Sequence, residues 1–139
     1  MKVTILGCGA SGGSPTIGGA NGEGDWGQCD PKNVKNHRLR ASILVEHKNT
    51  QIIVDCSPDL REQCLKNGIS RIDGVLFTHD HADHTHGIDE LRRLSFSTGS
   101  PIQIYGTNDT INTLESRFDY AFHTRNPGYP PFAVKNVFS

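Results

Sequence analysis

The chain lacks a Cys-x-x-Cys pair, an excess of either charge, and an N-terminal apolar run long enough for a leader or a membrane span. Each absence removes a class of function. Fourteen basic residues against 15 acidic ones leave a net charge of -1, so there is no electrostatic footprint for nucleic acid or an anionic membrane, and an acidic substrate must be met locally. The apolar stretch Val3 to Leu6 stops at a glycine cluster, too short for a signal sequence or a spanning helix. A cytoplasmic chain with no membrane partner is the expectation. Cys8, Cys29, Cys56 and Cys64 are widely spaced and read as reduced thiols, mostly small buried hydrophobes. At 139 residues the chain suits one domain.

What is present alternates. Lys2 to Leu6 is β-rich and reads as a first strand. From Gly7 to about Arg40 the chain is rich in Gly and Asn without apolar periodicity, and loops of that length are usually functional or disordered. Ala41–Glu46 and Gln51–Asp55 read as a hairpin turning at Lys48-Asn49. Ser57 before Pro58 supplies an N-cap, and Leu60, Cys64 and Leu65 keep helical spacing up to Asn67-Gly68. Then come a strand at Ile72–Thr78, a helix at Ile88–Leu94, a strand at Ile102–Tyr105 and a helix from Thr110 to about Phe122. The tail after Arg125 holds prolines and the start of a further strand. This order predicts a layered α/β domain. IIVD and VLFT are unbroken apolar runs, the pattern of strands covered on both faces. Three modest helices cover one face, and the other needs a partner.

The chemistry concentrates in Thr78-His79-Asp80-His81-Ala82-Asp83-His84-Thr85-His86-Gly87, at the C-terminal end of a buried strand, where α/β folds build their sites. His79 and His81 are two apart and project to the same side of an extended segment. Asp83 and His84 follow as the chain turns into a helix. Three neutral imidazoles and a carboxylate suit Zn2+, with Mn2+ or Fe2+ as substitutes. Two ions about 3.5–4 Å apart lower the pKa of a shared water and polarise a phosphoryl or carbonyl oxygen, which is metal-assisted hydrolysis. The bland alternative is a solvated polar loop, but four imidazoles within eight positions after an apolar strand favour metal. Asp80 and His86 have two readings each: Asp80 an acid that supports a ligand or a solvated one, His86 a substrate contact or a polar helix start. Asp55, at the end of IIVD, either accepts hydrogen bonds from the metal loop and holds its ligands or caps the following helix.

The strand ending in Asp55, the block from Thr78 to His84 and the following Gly87 resemble the metallo-β-lactamase superfamily. GASGGSP at 9–15, DWGQCDP at 25–31 and DCSPDLREQ at 55–63 make nearly the whole chain similar to the branch containing PhnP, a phosphoribosyl cyclic phosphodiesterase, and PqqB. The resemblance implies an αββα sandwich of which this chain is about one half, the N-terminal one. It implies His79 and His81 on one metal, Asp83 and His84 on a second, with Asp83 in the catalytic machinery. It also implies a third histidine, a bridging aspartate and a final histidine that have no counterpart here, because the one later histidine, His123, sits in a helix-like context. A longer gene product, or a second copy forming a homodimer, would complete the sandwich.

One motif misleads. Gly7-Cys8-Gly9-Ala10-Ser11-Gly12 matches the dinucleotide fingerprint, but Gly13-Ser14-Pro15 cannot open the helix that motif requires. The loop is expected instead to pass close to the metal site. Trp26 precedes a single cysteine, Cys29, which is too few for a structural zinc and leaves Trp26 as a packing anchor. Asn36, His37, Arg38 and Arg40, and separately Arg92 with Arg93, form small basic groups that pair with a substrate phosphate or sit on a solvated face. The expected activity is hydrolysis of a small phosphodiester, cyclic or linear. A nuclease or thioesterase of the same fold and a non-catalytic metal or ligand carrier are the rivals.

Overall fold

The computed structural model describes residues 1–138. One six-stranded sheet organises the molecule: β1 Lys2–Gly7, β2 Ser42–His47, β3 Thr50–Val54, β4 Gly74–Leu76, β5 Ile102–Gly106 and β6 Ala133–Val137, in that spatial order. The first two pairings are antiparallel and the rest parallel. The hairpin between β2 and β3 turns at Lys48, whose φ is +52°. Each parallel step is bridged by helix: α1 Leu60–Asn67; then α2 Ala82–Thr85 and α3 Leu91–Thr98; then α4 Asn108–Arg117 and α5 Asp119–Phe122. Crossovers of one hand that advance the sheet in one direction place all their helices on one face. The mixed α/β class expected from the alternation is what the chain forms.

The two faces of the sheet differ sharply. Ladder register sets Thr4, Leu44, Ile53, Val75 and Ile104 in one row, and the last four of these are buried beneath the helices with Leu60, Leu91, Ile111 and Leu114. The opposite face carries the rows Val3, Val45, Ile52, Gly74, Gln103, Val134 and Ile5, Ile43, Val54, Leu76, Tyr105, Asn136. No helix among the described residues covers it, and Val3, Ile5 and Val134 are 52%, 68% and 42% exposed. The second cover that the apolar runs demand is not supplied by the described residues.

Several boundaries differ from the periodicity. The helix expected at Ile88–Leu94 begins as a tight turn at Ile88–Glu90 and runs on to Thr98, ending on Gly99 at φ +69°. Ser95, Ser97 and Thr98 are weak helix formers, but their hydroxyls bond the carbonyls of Leu94, Ser95, Ser70 and Ser100. The helix expected from Thr110 to Phe122 breaks at Phe118, whose φ of -124° and ψ of 41° leave the helical region as its ring turns against the core. Ser57 accepts the amide of Asp59 at 3.2 Å, yet the helix starts only at Leu60, because Pro58-Asp59 are spent on a turn. No helix is long and apolar enough to cross a membrane among the described residues.

Candidate metal centre

The C-terminal ends of β1, β3, β4 and β5 share one edge of the sheet, and the histidine loop follows β4 there. The ladder stops at Leu76, and α2 begins at Ala82 with His81 at its N-cap in extended conformation. Between them the Phe77 amide still bonds the Tyr105 carbonyl at 2.8 Å, and beyond it the chain is held by side chains.

Asp55 is the chief of these. It follows β3 with φ +63°, a left-handed conformation that Asp tolerates better than most residues, and its side chain is 7% exposed. Oδ1 accepts the Thr78 amide at 2.8 Å. Oδ2 lies 2.8 Å from both the Thr78 hydroxyl and His84 Nδ1. Thr78 has one proton to give. Donated to Asp55, it leaves Oγ1 to accept from His79 Nδ1, 2.9 Å away. His84 Nδ1 must likewise carry a proton to meet a carboxylate. Both rings are thereby fixed in the tautomer whose Nε2 lone pair is free for a ligand.

The imidazoles lie close together: His79 is 4.6 Å from His81 and 4.1 Å from His84 between centroids. Asp83 Oδ2 stands 3.3 Å from His84 Nε2. Neutral nitrogen with carboxylate oxygen is a zinc-type donor set, and in chemistry it fits the metal. In number it does not suffice: among the described residues no group of three or more His, Cys, Asp or Glu side chains converges in a way that could hold an ion.

Gly87 closes the loop against its support. Its amide donates to the Cys56 carbonyl at 2.9 Å, and a Cβ there would overlap the Ser57 carbonyl. Gly7 is tight in the same way, against the Arg40 carbonyl.

The remaining candidates are scattered. His86 is exposed, its ring edge-on to Phe118 at 5.3 Å. Asp80 is held by Arg117, whose Nη1 donates to its carbonyl and whose Nη2 reaches Oδ2 at 3.0 Å. Arg38 Nη1 lies 2.9 Å from Cys8 Sγ, and Arg40 is paired with Asp59 at 2.8 Å. Arg92 sits over the Phe132 ring at 5.2 Å and the Tyr120 ring at 6.0 Å. Tyr120 donates to Asp89, and burial together with that bond pushes its hydroxyl up to about 12. Trp26 packs edge-on to His37 at 4.6 Å. Burial pushes the Cys64 thiol up to about 11 and Cys56 well above the usual range, so neither is a nucleophile at neutral pH. A hollow of about 750 Å³ lined by Arg71, Asp73, Ser97 and Gln103 lies at the opposite end of the strands, away from the histidines. Arg117 is a contact to the loop that the sequence does not signal, since nothing in the spacing of a residue 37 positions away points to it.

Residues 50–137 match the beta-lactamase superfamily domain. Two solved structures resemble the chain over 99% of its length: a diphosphatase of the PhnP family (32% identity, TM-score 0.80, 50% of that chain) and Zn2+-bound PqqB from Methylobacterium extorquens (20%, 0.69, 49%). The second likeness bears on fold alone. An octanoyltransferase of Porphyromonas gingivalis is 34% identical over 94% of this chain and 25% of its own. Ribonuclease Z of Methanococcus aeolicus is 28% identical over 65% of this chain and 29% of its own. The chain thus spans about half the length of the solved relatives and a quarter to a third of these curated ones.

Proposed function

The chain belongs to the β-lactamase superfamily, and on that premise we propose that it is the metal-binding half of a metal-dependent hydrolase of small phosphodiesters. The observation that carries the reading is Asp55 bonded at once to Thr78 and His84, an arrangement that leaves two histidines with outward Nε2 lone pairs. His79 and His81 would hold one ion and Asp83 with His84 a second, zinc by donor type, with further donors needed from outside the described residues. Bound there, a metal would supply a nucleophile at neutral pH and Lewis-acid stabilisation of the scissile group. The chain's own residues orient and support: Asp55 and Thr78 fix tautomers, and Gly87 sets the depth of the loop. A phosphodiester is favoured because the diphosphatase and the ribonuclease Z among the relatives both act at phosphoryl centres. The balanced charge favours a small substrate over a long nucleic acid. A second copy of the chain covers the bare sheet face.

Bis-p-nitrophenyl phosphate with Mn2+ tests this. Slow release of nitrophenol that disappears in His81→Ala is the expected result; equal rates in the two proteins would reject hydrolysis. That no group of three donors converges among the described residues favours a second reading, a metal or ligand carrier, which predicts zinc binding lost in His81→Ala with no turnover in either protein.

A further inference from the structure

The residue between His79 and His81 is gripped from far along the chain. Arg117, the last residue of α4, places two nitrogens on Asp80: Nη1 on the main-chain carbonyl and Nη2 on Oδ2, the latter at 3.0 Å. A planar fork that meets both the backbone and the side chain of one residue fixes orientation, which a single point contact does not. The next residue, Phe118, lies against His86 at 5.3 Å, so the end of α4 brackets the loop on both sides.

The restraint matters because of where it acts. The ladder has ended at Leu76 and the helix has not begun until Ala82. Asp55 holds the start of this stretch through Thr78 and its far side through His84, but neither contact fixes the peptide joining Asp80 to His81. That peptide carries the carbonyl on which Arg117 acts, and its rotation sets the direction of His81 relative to His79. We propose that Arg117 is a positioning residue for the metal loop, aligning His79 and His81 on the same ion. The inference rests on the metal reading of the loop.

The alternative is an ordinary surface ion pair. Arg117 and Asp80 side chains are 44% and 35% exposed, and pairs of that exposure commonly contribute little to stability. A stability measurement therefore cannot decide, and the readout must be the metal itself. Co2+ serves as the probe, since its visible absorption reports ligand geometry as well as occupancy. The full chain is titrated as wild type, Arg117→Ala, Arg117→Lys, His81→Ala and Arg125→Ala, the last removing an exposed pair with Asp119 that does not touch the loop.

Arg117→Ala is expected to weaken Co2+ binding by about 10–100-fold, the range for groups that orient ligands, and to alter the cobalt bands while the thermal midpoint stays close to wild type. Arg117→Lys keeps the charge without the fork and is expected to recover only part of the affinity. Arg125→Ala is expected to match wild type. Wild-type affinity and bands in Arg117→Ala would overturn the proposal with the metal reading intact. Should Arg117→Ala fail to fold, Arg117→Lys decides, and wild-type binding by that variant overturns the fork. Cobalt binding that is absent from wild type, or unchanged in His81→Ala, removes the metal reading and this inference with it.

Discussion

Asp55 holds an uncomfortable backbone conformation in order to accept three hydrogen bonds. Its φ of +63° costs on the order of 1 kcal/mol for a residue with a Cβ, and the cost is offset because its carboxylate meets the Thr78 amide, the Thr78 hydroxyl and His84 Nδ1. Asp55→Asn isolates the role of the charge, since Asn also tolerates this conformation and can still accept the Thr78 amide. It can then accept neither of the other two donors, because the oxygen that both of them meet becomes an NH2. The expected loss is about 1–3 kcal/mol in urea unfolding, for buried donors left unsatisfied. Zinc affinity by calorimetry should fall by about 10–100-fold. Unchanged affinity in a folded Asp55→Asn protein would limit Asp55 to a structural role.

At the scale of elements, the loop is positioned by close approach as much as by hydrogen bonds. A methyl group at Gly87 would overlap the Ser57 carbonyl, so Gly87→Ala must push the segment after Asp55 away from the loop. Overpacking of this kind costs about 1–3 kcal/mol or more, and the displaced backbone also loses the bond from the Gly87 amide to Cys56. Gly22→Ala is the comparison: its φ of +74° is also left-handed, but nothing lies within 4 Å, so only about 1 kcal/mol is expected. A urea midpoint for Gly87→Ala no lower than that of Gly22→Ala would show that the two segments slide freely. The strands, the hairpin and the histidine cluster are readable in the sequence because apolar runs and the spacing of His79, His81, Asp83 and His84 are local signals, and the structure brings these four side chains together. The length of α3 is not, since Ser95, Ser97 and Thr98 become helical only through carbonyls that folding brings near. Nor is the break at Phe118, where a tertiary contact overrides helical periodicity. Of the arginines near the loop in sequence or composition, Arg38 and Arg92 are held by Cys8 and by an aromatic pair, while Arg117 touches the loop from another element.

For the molecule as a whole, the consequence of three crossovers of one hand is a sheet finished on one side only. Two rows of six positions face away from the helices, and none of them is charged. The charged side chains of the strand interiors, Glu46 and Lys135, lie on the other face, bonded to Lys2 and Glu115. On the bare face Asn136 Nδ2 donates to Gln103 Oε1 at 3.0 Å, and the rest is apolar apart from the Tyr105 hydroxyl, leaving an uncharged surface. Such a face can pack on its own copy, because sheets stack about 10 Å apart with strands inclined by about 30°. Six strands about 4.8 Å apart and about 17 Å long present on the order of 500 Å² per copy. The total of roughly 1,000 Å² is near the lower limit for a specific interface, so a weak dimer is expected, visible by light scattering in the tens of micromolar and dissociating on dilution. Val45 and Ile52 are cross-strand neighbours near the middle of the face. Val45→Lys combined with Ile52→Lys puts two like charges into the interface without touching the helix-covered core, so the variant should be monomeric with unchanged far-ultraviolet circular dichroism. A wild-type chain that is monomeric at every concentration, and no more prone to bind a hydrophobic dye than the charged variant, would mean that the face tolerates water and needs no cover.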